Sequence, residues 1–455
     1  MKKNNYQKRL LKSIPGGAHT YSKGYDQFPL NAPEILEKGK GCYVYDTDGN
    51  KYLDYGMALR AVNIGYSEKS IDKGAIDQIK KGNNLTKASM IELEAAELII
   101  KEIKSVDMVK FTKNGSTAVS AAIKLARAYT GRDIIARCKQ HPFFSYDDWF
   151  IGNTIIKKGI PKRIQKLTKE FSYNDIKSLE FLIKENPGKI ACVVMEPATN
   201  VCPSVMSENN DCCGKIVCSR SSKKNKKNYL MKVSDLCKKN GIIFILDEMI
   251  TGFRWHMKGA QYLYGVEPDL CTFGKAMANG YSVACVAGKR KIMQLGSIEF
   301  KDQERTFLLS TTHGAEMSSL GAFVKTIEFM KKHDVIKHIW KYGYELINLF
   351  NSLAKKYGIE DNFIIKGPSC SPTYTLLDDK GKVSMSLRTL FAQEMIKHNI
   401  LIPWIAICYH HDKKELKKTE QALNKVFPVI KKAIDNGVHE YLDGDVIKPV
   451  FRKFN

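Results

Sequence analysis

GIIFILDE, residues 241–248, runs six apolar or small residues straight into two carboxylates. An apolar run of that length, bounded by polar residues, reads as a strand buried on both faces. The same pattern recurs along the chain. MVKF at 108–111 leads through Thr112 into Lys113-Asn114-Gly115-Ser116-Thr117, KIACVVM at 189–195 leads into Glu196-Pro197, and LCTF at 270–273 leads into Gly274-Lys275. Helix-like segments separate these runs. Strands alternating with helices predict an α/β domain whose crossover helices cover a central sheet, and its span is taken as 71–333.

Outside that span the pattern changes. GCYVYDTDGNKYLDY, residues 41–55, alternates apolar and polar residues around Asp48-Gly49, which predicts a tight antiparallel hairpin. From about residue 334 two long amphipathic helices, near 335–357 and 413–435, surround short strand-like pieces. The expected organisation is an N-terminal segment 1–70 and a C-terminal segment 334–455 forming a smaller α+β domain.

The 455 residues are 44% hydrophobic and 26% charged, the mix of a folded globular chain. No apolar run approaches the roughly 20 residues that span a bilayer. MKKNNYQKRLLKSIPGG at the N-terminus has the charge of a signal peptide without its apolar stretch, so a mature, cytoplasmic protein is expected. The twelve cysteines show no C-x-x-C pair, and no disulfide framework or metal site is expected. The net charge of +24 raises nucleic acid as a partner. The lysines, however, lie at helix-surface spacing along the whole chain and form no binding stripe. One segment, 208–228, is densely basic and contains Cys212, Cys213 and Cys218. It reads as a solvated loop, and its cysteine spacing fits no zinc pattern.

The chemistry sits where the strands end. Gly115, Ser116 and Thr117 stand between a strand and the helix AVSAAIKLARAYT, where free N–H groups and the helix dipole make an anion site. Plain N-capping by Ser116 or Thr117 explains the same residues. Glu196 and Asp247 end their strands, and in open α/β sheets that edge faces the ligand crevice. A carboxylate placed as Asp247 is costly without a cationic or donating partner, and capping of the next helix is the plainer reading. Lys275 follows an apolar strand and a glycine and precedes small residues, a setting that lowers a lysine pKa and favours a neutral, nucleophilic amine. An anion cradle, a strand-end carboxylate and a strand-end lysine are the three parts a pyridoxal-phosphate site requires.

These motifs, together with SIPGGAHTYSKG at 13–24, NGSTAVSAAIKLARAYTGR at 114–132, ILDEMITGFRW at 245–255, STTHGAE at 310–316 and LIPWIAICYHH at 401–411, resemble the class-III aminotransferases of pyridoxal-phosphate fold type I. The similarity covers nearly the whole chain and is strongest to the glutamate-1-semialdehyde aminomutase-like branch. It implies a large α/β/α domain with a mostly parallel sheet, a small α+β domain and pyridoxal 5′-phosphate as cofactor. It also implies an enzyme that transfers an amino group between a small-molecule donor and a carbonyl acceptor. By motif, Lys275 would form the Schiff base, Asp247 would pair with the pyridine nitrogen, and Gly115, Ser116 and Thr117 would hold the phosphate. Glu196 would line the cofactor site, Met249 would pack on one ring face, and Phe143 would stack on the other, with Phe144 where histidine is common. Thr312 would reach the phosphate of the neighbouring subunit in a homodimer.

Lys23 stands where the aminomutase carries an arginine that grips a substrate carboxylate, and it lacks the bidentate fork. Arg60 is a substitute anion clamp or a structural ion pair. Intramolecular amino transfer is the alternative activity, and an inactive binding-protein relative is a third reading.

Overall fold

The computed structural model describes residues 5–198, 201–204, 227–299, 302 and 304–454. The basic segment 208–228, with its three cysteines, lies outside the described residues up to 226. The chain divides into two units, one comprising 60–62 and 69–336, the other 1–59, 63–68 and 337–455.

The larger unit is built on seven strands: β1 (Met108–Thr112), β2 (Ile134–Cys138), β3 (Thr168–Phe171), β4 (Ile190–Met195), β5 (Ile243–Asp247), β6 (Leu270–Phe273) and β7 (Ala284–Gly288). Their spatial order is β1-β7-β6-β5-β4-β2-β3. Only β7 runs antiparallel to its neighbours, so the sheet is mostly parallel, as expected for this α/β class. Every residue of β4 and β5 is buried, which is why both read as unbroken apolar runs: helices cover both faces. Helix α1 (Gly115–Thr130) packs on β7, β6 and β4 and stops at Gly131, a left-handed cap with φ 66°.

The register decides where the chemistry meets. Asp247, last in β5, pairs directly with Thr272 of β6, and Lys275 follows two residues beyond the end of β6. Thr112, last in β1, pairs with Ala284, first in the antiparallel β7. The carboxyl ends of the parallel strands and the start of β7 therefore form one edge, to which the turn at Gly115, Glu196, Asp247 and Lys275 all belong.

In the smaller unit, Tyr43–Asp46 and Lys51–Asp54 form the hairpin, flanked by Leu36–Lys40 and, in parallel, by Ile400–Leu401. Asp46 ties the turn by accepting from the amides of Asp48 (3.0 Å) and Asn50 (2.8 Å). A second ribbon pairs Phe363–Lys366 with Thr373–Leu376. The helices of this unit include α2 (Met385–Lys397) and Lys413–Asn436, and Val335–Lys356 enters it from residue 337.

Candidate active site

Asp247 is 2% exposed. Its Oδ1 accepts from the amide of Met249 (3.0 Å) and from Oγ1 of Thr272 (2.9 Å). Oδ2 takes no hydrogen bond from the described residues. Burial raises the carboxyl to about 6, opposed by the nearby Lys275 charge and by these two donors. A buried carboxylate held by one oxygen and open at the other is set to receive a cation.

Lys275 begins a short 3-10 turn at φ 38°, a left-handed conformation that costs a non-glycine residue of order 1–3 kcal/mol. Burial pushes its ammonium below the ordinary lysine range. Asp247 and Glu196 oppose the shift, and the Arg60 and Arg254 charges reinforce it. Met249 lies between the parts of the site. A Cβ on Gly274 would stand 2.6 Å from its Sδ, and a Cβ on Gly115 would stand 2.8 Å from it. The thioether also packs with Ala118 and Ala284. One flexible side chain thus fills the space between the lysine strand end and the α1 turn, and a side chain at either glycine would have to displace it.

At that turn the helix cap is Asn114. Its Oδ1 accepts from Thr117 N (2.9 Å) and Thr117 Oγ1 (3.0 Å), so the capping reading assigned to Ser116 or Thr117 does not hold. The N–H groups of Gly115 and Ser116 stand in the first turn, where no intrahelical carbonyl reaches them. The segment 145–146 closes over this end: Tyr146 N donates to Ser116 Oγ (3.2 Å) and Ser145 Oγ donates to the Ser116 carbonyl (3.3 Å).

Glu196 is buried beside the same pair, and desolvation together with the Asp247 charge pushes it up to about 8, against the pull of Lys275 and Arg60. Its amide donates to Nδ1 of buried His141 (3.0 Å). Burial and the Arg137 charge push His141 down to about 3, so the ring is neutral with its proton on Nε2. A carboxyl whose folded pKa lies above its unfolded value stabilises the protein at low pH. That contribution fades as pH rises from about 4.5 to about 8. Lys275, shifted down, acts with the opposite sign. Cofactor-free wild type is therefore expected to lose thermal stability relative to Glu196→Gln between pH 6.5 and 8.5, where His141 no longer titrates. Melting curves of both proteins check this, and parallel curves would show that Glu196 is already ionised.

The model of the class-III aminotransferases matches residues 21–364. The chain is 31% identical over 425 residues to the 3-aminobutyryl-CoA aminotransferase of Cloacimonas acidaminovorans, covering 92% of this chain and 95% of that one. The chain belongs to the class-III aminotransferase family. It is also 30% identical to the glutamate-1-semialdehyde 2,1-aminomutase of Wigglesworthia glossinidia brevipalpis, over 95% of this chain and 100% of the relative. Among solved structures, the Sphingopyxis FumI protein in its pyridoxal-phosphate form superposes with a TM-score of 0.80 at 22% identity, covering 95% of this chain and 97% of that one. A glutamate-1-semialdehyde aminomutase of Pseudomonas aeruginosa does so with 0.77 at 16%, covering 92% and 93%. These structures share the fold.

The cofactor of this aminotransferase is pyridoxal 5′-phosphate. The residues present fit it: an open carboxylate oxygen on Asp247, a downshifted amine on Lys275, and a helix N-terminus with unclaimed N–H groups.

Phe143 is 45% exposed and meets Phe150 edge-on at 5.7 Å, whereas Phe144 is buried among His141, Trp149 and Phe150. Thr312 is exposed, and its carbonyl accepts from Asn84 Nδ2 (3.0 Å). Lys23 is exposed at the end of a 3-10 turn. Arg60 ends a turn in which four consecutive non-glycine residues, Met57 to Arg60, have φ of 40°, 48°, 61° and 67°. Asp54 holds the entry of that turn through the amides of Gly56 (2.7 Å) and Met57 (3.1 Å). Arg254 Nη2 donates to the carbonyls of Arg60 (3.2 Å) and Val62 (3.3 Å).

Sequence reading missed Thr272, His141 and Glu248. Glu248 is fully buried and accepts from Thr251 Oγ1 (2.6 Å), Ala260 N (2.8 Å) and Gln261 N (2.9 Å), which fixes the loop after Asp247. A second carboxylate directly after the strand-end one was the available signal.

Proposed function

We propose that this protein is a transaminase that moves an amino group from a small-molecule amino donor to a carbonyl acceptor, with Lys275 and Asp247 as its catalytic residues. The observation that carries this reading is the convergence of Asp247, Lys275 and the Gly115 turn around Met249. Pyridoxal phosphate, when bound, supplies an aldehyde that condenses with amines and a ring that withdraws electrons from the substrate Cα.

The chain does the rest. Gly115, Ser116 and Thr117 would hold the phosphate at the α1 N-terminus, and Met249 and Phe143 would pack against the cofactor. Asp247, buried and open at Oδ2, would hold the cofactor's ring nitrogen and keep it protonated. Glu196 would line the cofactor site beside Asp247 and Lys275. Lys275, its pKa lowered by burial, would anchor the cofactor through its neutral amine and would act as the base and acid for the Cα proton. Arg60, whose charge is felt at Lys275 and Glu196, would receive the anionic group of the substrate.

A second reading, intramolecular amino transfer, is supported by the aminomutase relative that aligns over its full length. Both readings use the same cofactor residues. They separate by counting turnovers on one substrate that carries both an amine and a carbonyl, with no second acceptor: an aminomutase converts it to its isomer over many turnovers, and a transaminase that needs a separate donor and acceptor stops after one equivalent per site. An inactive binding protein would show neither, and the intact trio weighs against it. No helix among the described residues is long and apolar enough to cross a membrane, which agrees with a cytoplasmic protein.

The proposed assembly is a homodimer with shared sites: Thr312 is exposed, and the family resemblance implies that it reaches the phosphate of the neighbouring subunit. Mixing Lys275→Ala subunits with Thr312→Asp subunits is expected to restore activity. In the hybrid one site collects both defects and the other collects neither. If Thr312 serves its own subunit, each site keeps one defect and nothing returns.

A further inference from the structure

The smaller unit contains a cavity of about 210 Å³ that none of the residues above uses. It lies between α2, the residues after Ile400–Leu401, and the C-terminal tail. Phe28, Tyr374 and Trp404 supply aromatic walls, and Arg388 and Lys448 supply cations. No aspartate or glutamate lines it. We infer that this cavity binds a small molecule carrying a carboxylate or phosphate on a flat apolar body.

The walls are preformed. Tyr374 is fixed by its hydroxyl, which donates to the Ile402 carbonyl (2.7 Å), and Trp404 by its Nε1 donating to the Gly56 carbonyl (2.8 Å). The tail is tied along its length: Ile447 N donates to Thr389 Oγ1 (3.0 Å), Lys448 N to the Asp26 carbonyl (2.9 Å), and Gln27 Nε2 to the Lys448 carbonyl (2.8 Å). An ion pair between Arg452 and Asp26 at 2.6 Å closes the far end. A ligand therefore meets a built site with little ordering left to do.

Size and charge name the ligand class. A dry cavity of about 150 Å³ accepts benzene, so this one holds a ring with a polar substituent. Arg388 is half-buried, lies 4.9 Å over the Tyr374 ring and donates Nη2 to the Pro403 carbonyl at 2.6 Å. Neither Arg388 nor Lys448 takes part in any ion pair among the described residues. A guanidinium has five donors in a planar fork, and one is committed here. The others suit the two oxygens of a carboxylate or phosphate. Met385, the first residue of α2, also lines the cavity, and the helix dipole there favours an anion.

The test uses the cofactor-loaded protein. Calorimetric titration with 4-bromobenzoate and with phenyl phosphate compares the two anionic groups, and 4-bromobenzamide serves as the neutral twin. Crystals soaked in 4-bromobenzoate locate the bromine by its anomalous signal. Expected are a bromine peak beside Tyr374 and Arg388, and about tenfold weaker binding of the amide, the loss of a charge-assisted hydrogen bond. Lys448→Gln and Arg388→Gln should weaken the anion by similar factors, and Ala392→Phe, which fills the cavity, should abolish binding. Lys448 is exposed, so its variant keeps the test usable if the Arg388 variant does not fold. Equal binding of acid and amide, unchanged binding by both glutamine variants, or bromine found only elsewhere overturns the inference, as does no binding of either anion.

Discussion

Lys275→Ala is expected to lose activity by more than about 10⁴-fold while remaining folded. Under the proposed mechanism it removes both the covalent anchor and the group that would move the Cα proton, and proton transfer alone is worth roughly 10²–10⁴. The fold should hold, because the substitution deletes an amine whose charged form is disfavoured by burial and keeps the same Cβ at φ 38°. Borohydride treatment followed by intact-mass measurement gives the decisive reading: wild type gains the mass of reduced cofactor, and the variant gains none. Cofactor still fixed to the alanine variant would mean that another lysine is the anchor.

Asp247→Asn is the second large effect. The amide preserves the shape of the side chain and can still accept from Met249 N and Thr272 Oγ1 through its oxygen, so the loop geometry survives. What disappears is the negative charge that, in the proposed mechanism, would hold the ring nitrogen. Breaking a buried ion pair costs roughly 3–5 kcal/mol, and each 1.4 kcal/mol is about a factor of ten. The expected loss in the proton-abstraction step is therefore about 10²–10⁴-fold, with cofactor retained. Substrate deuterated at Cα should show a larger isotope effect in the variant than in wild type, because that step becomes limiting. An unchanged rate would remove Asp247 from the chemistry and leave it a structural cap.

The strand-end chemistry was legible because a doubly covered parallel sheet demands unbroken apolar strands. Any charged residue at the border of such a run then stands out, as Asp247, Glu196 and Lys275 do. Asn114 was harder to read. Asparagine, serine and threonine all cap helices, and only the register of the first turn decides among residues 114, 116 and 117. His141 was not legible at all, since its partner, the Glu196 amide, is 55 positions away and only the β4 edge brings them together. The turn at Met57–Arg60 was the least legible. Met, Ala, Leu and Arg are good right-handed helix formers, and the reversal of φ follows from grips supplied by Asp54 and Arg254 that no local pattern encodes.

That turn has a consequence for how the protein responds to selection. Each non-glycine residue in the left-handed region costs about 1–2 kcal/mol, so this four-residue run is a local sink of stability that glycine would relieve. A library screened for heat resistance alone should return Ala58→Gly early and often. The same library screened for turnover should discard it, because a looser backbone at 58 lets the arginine two positions on wander. Enrichment of glycine under one screen and its depletion under the other would mark residues 57–60 as a place where the chain has traded durability for aim.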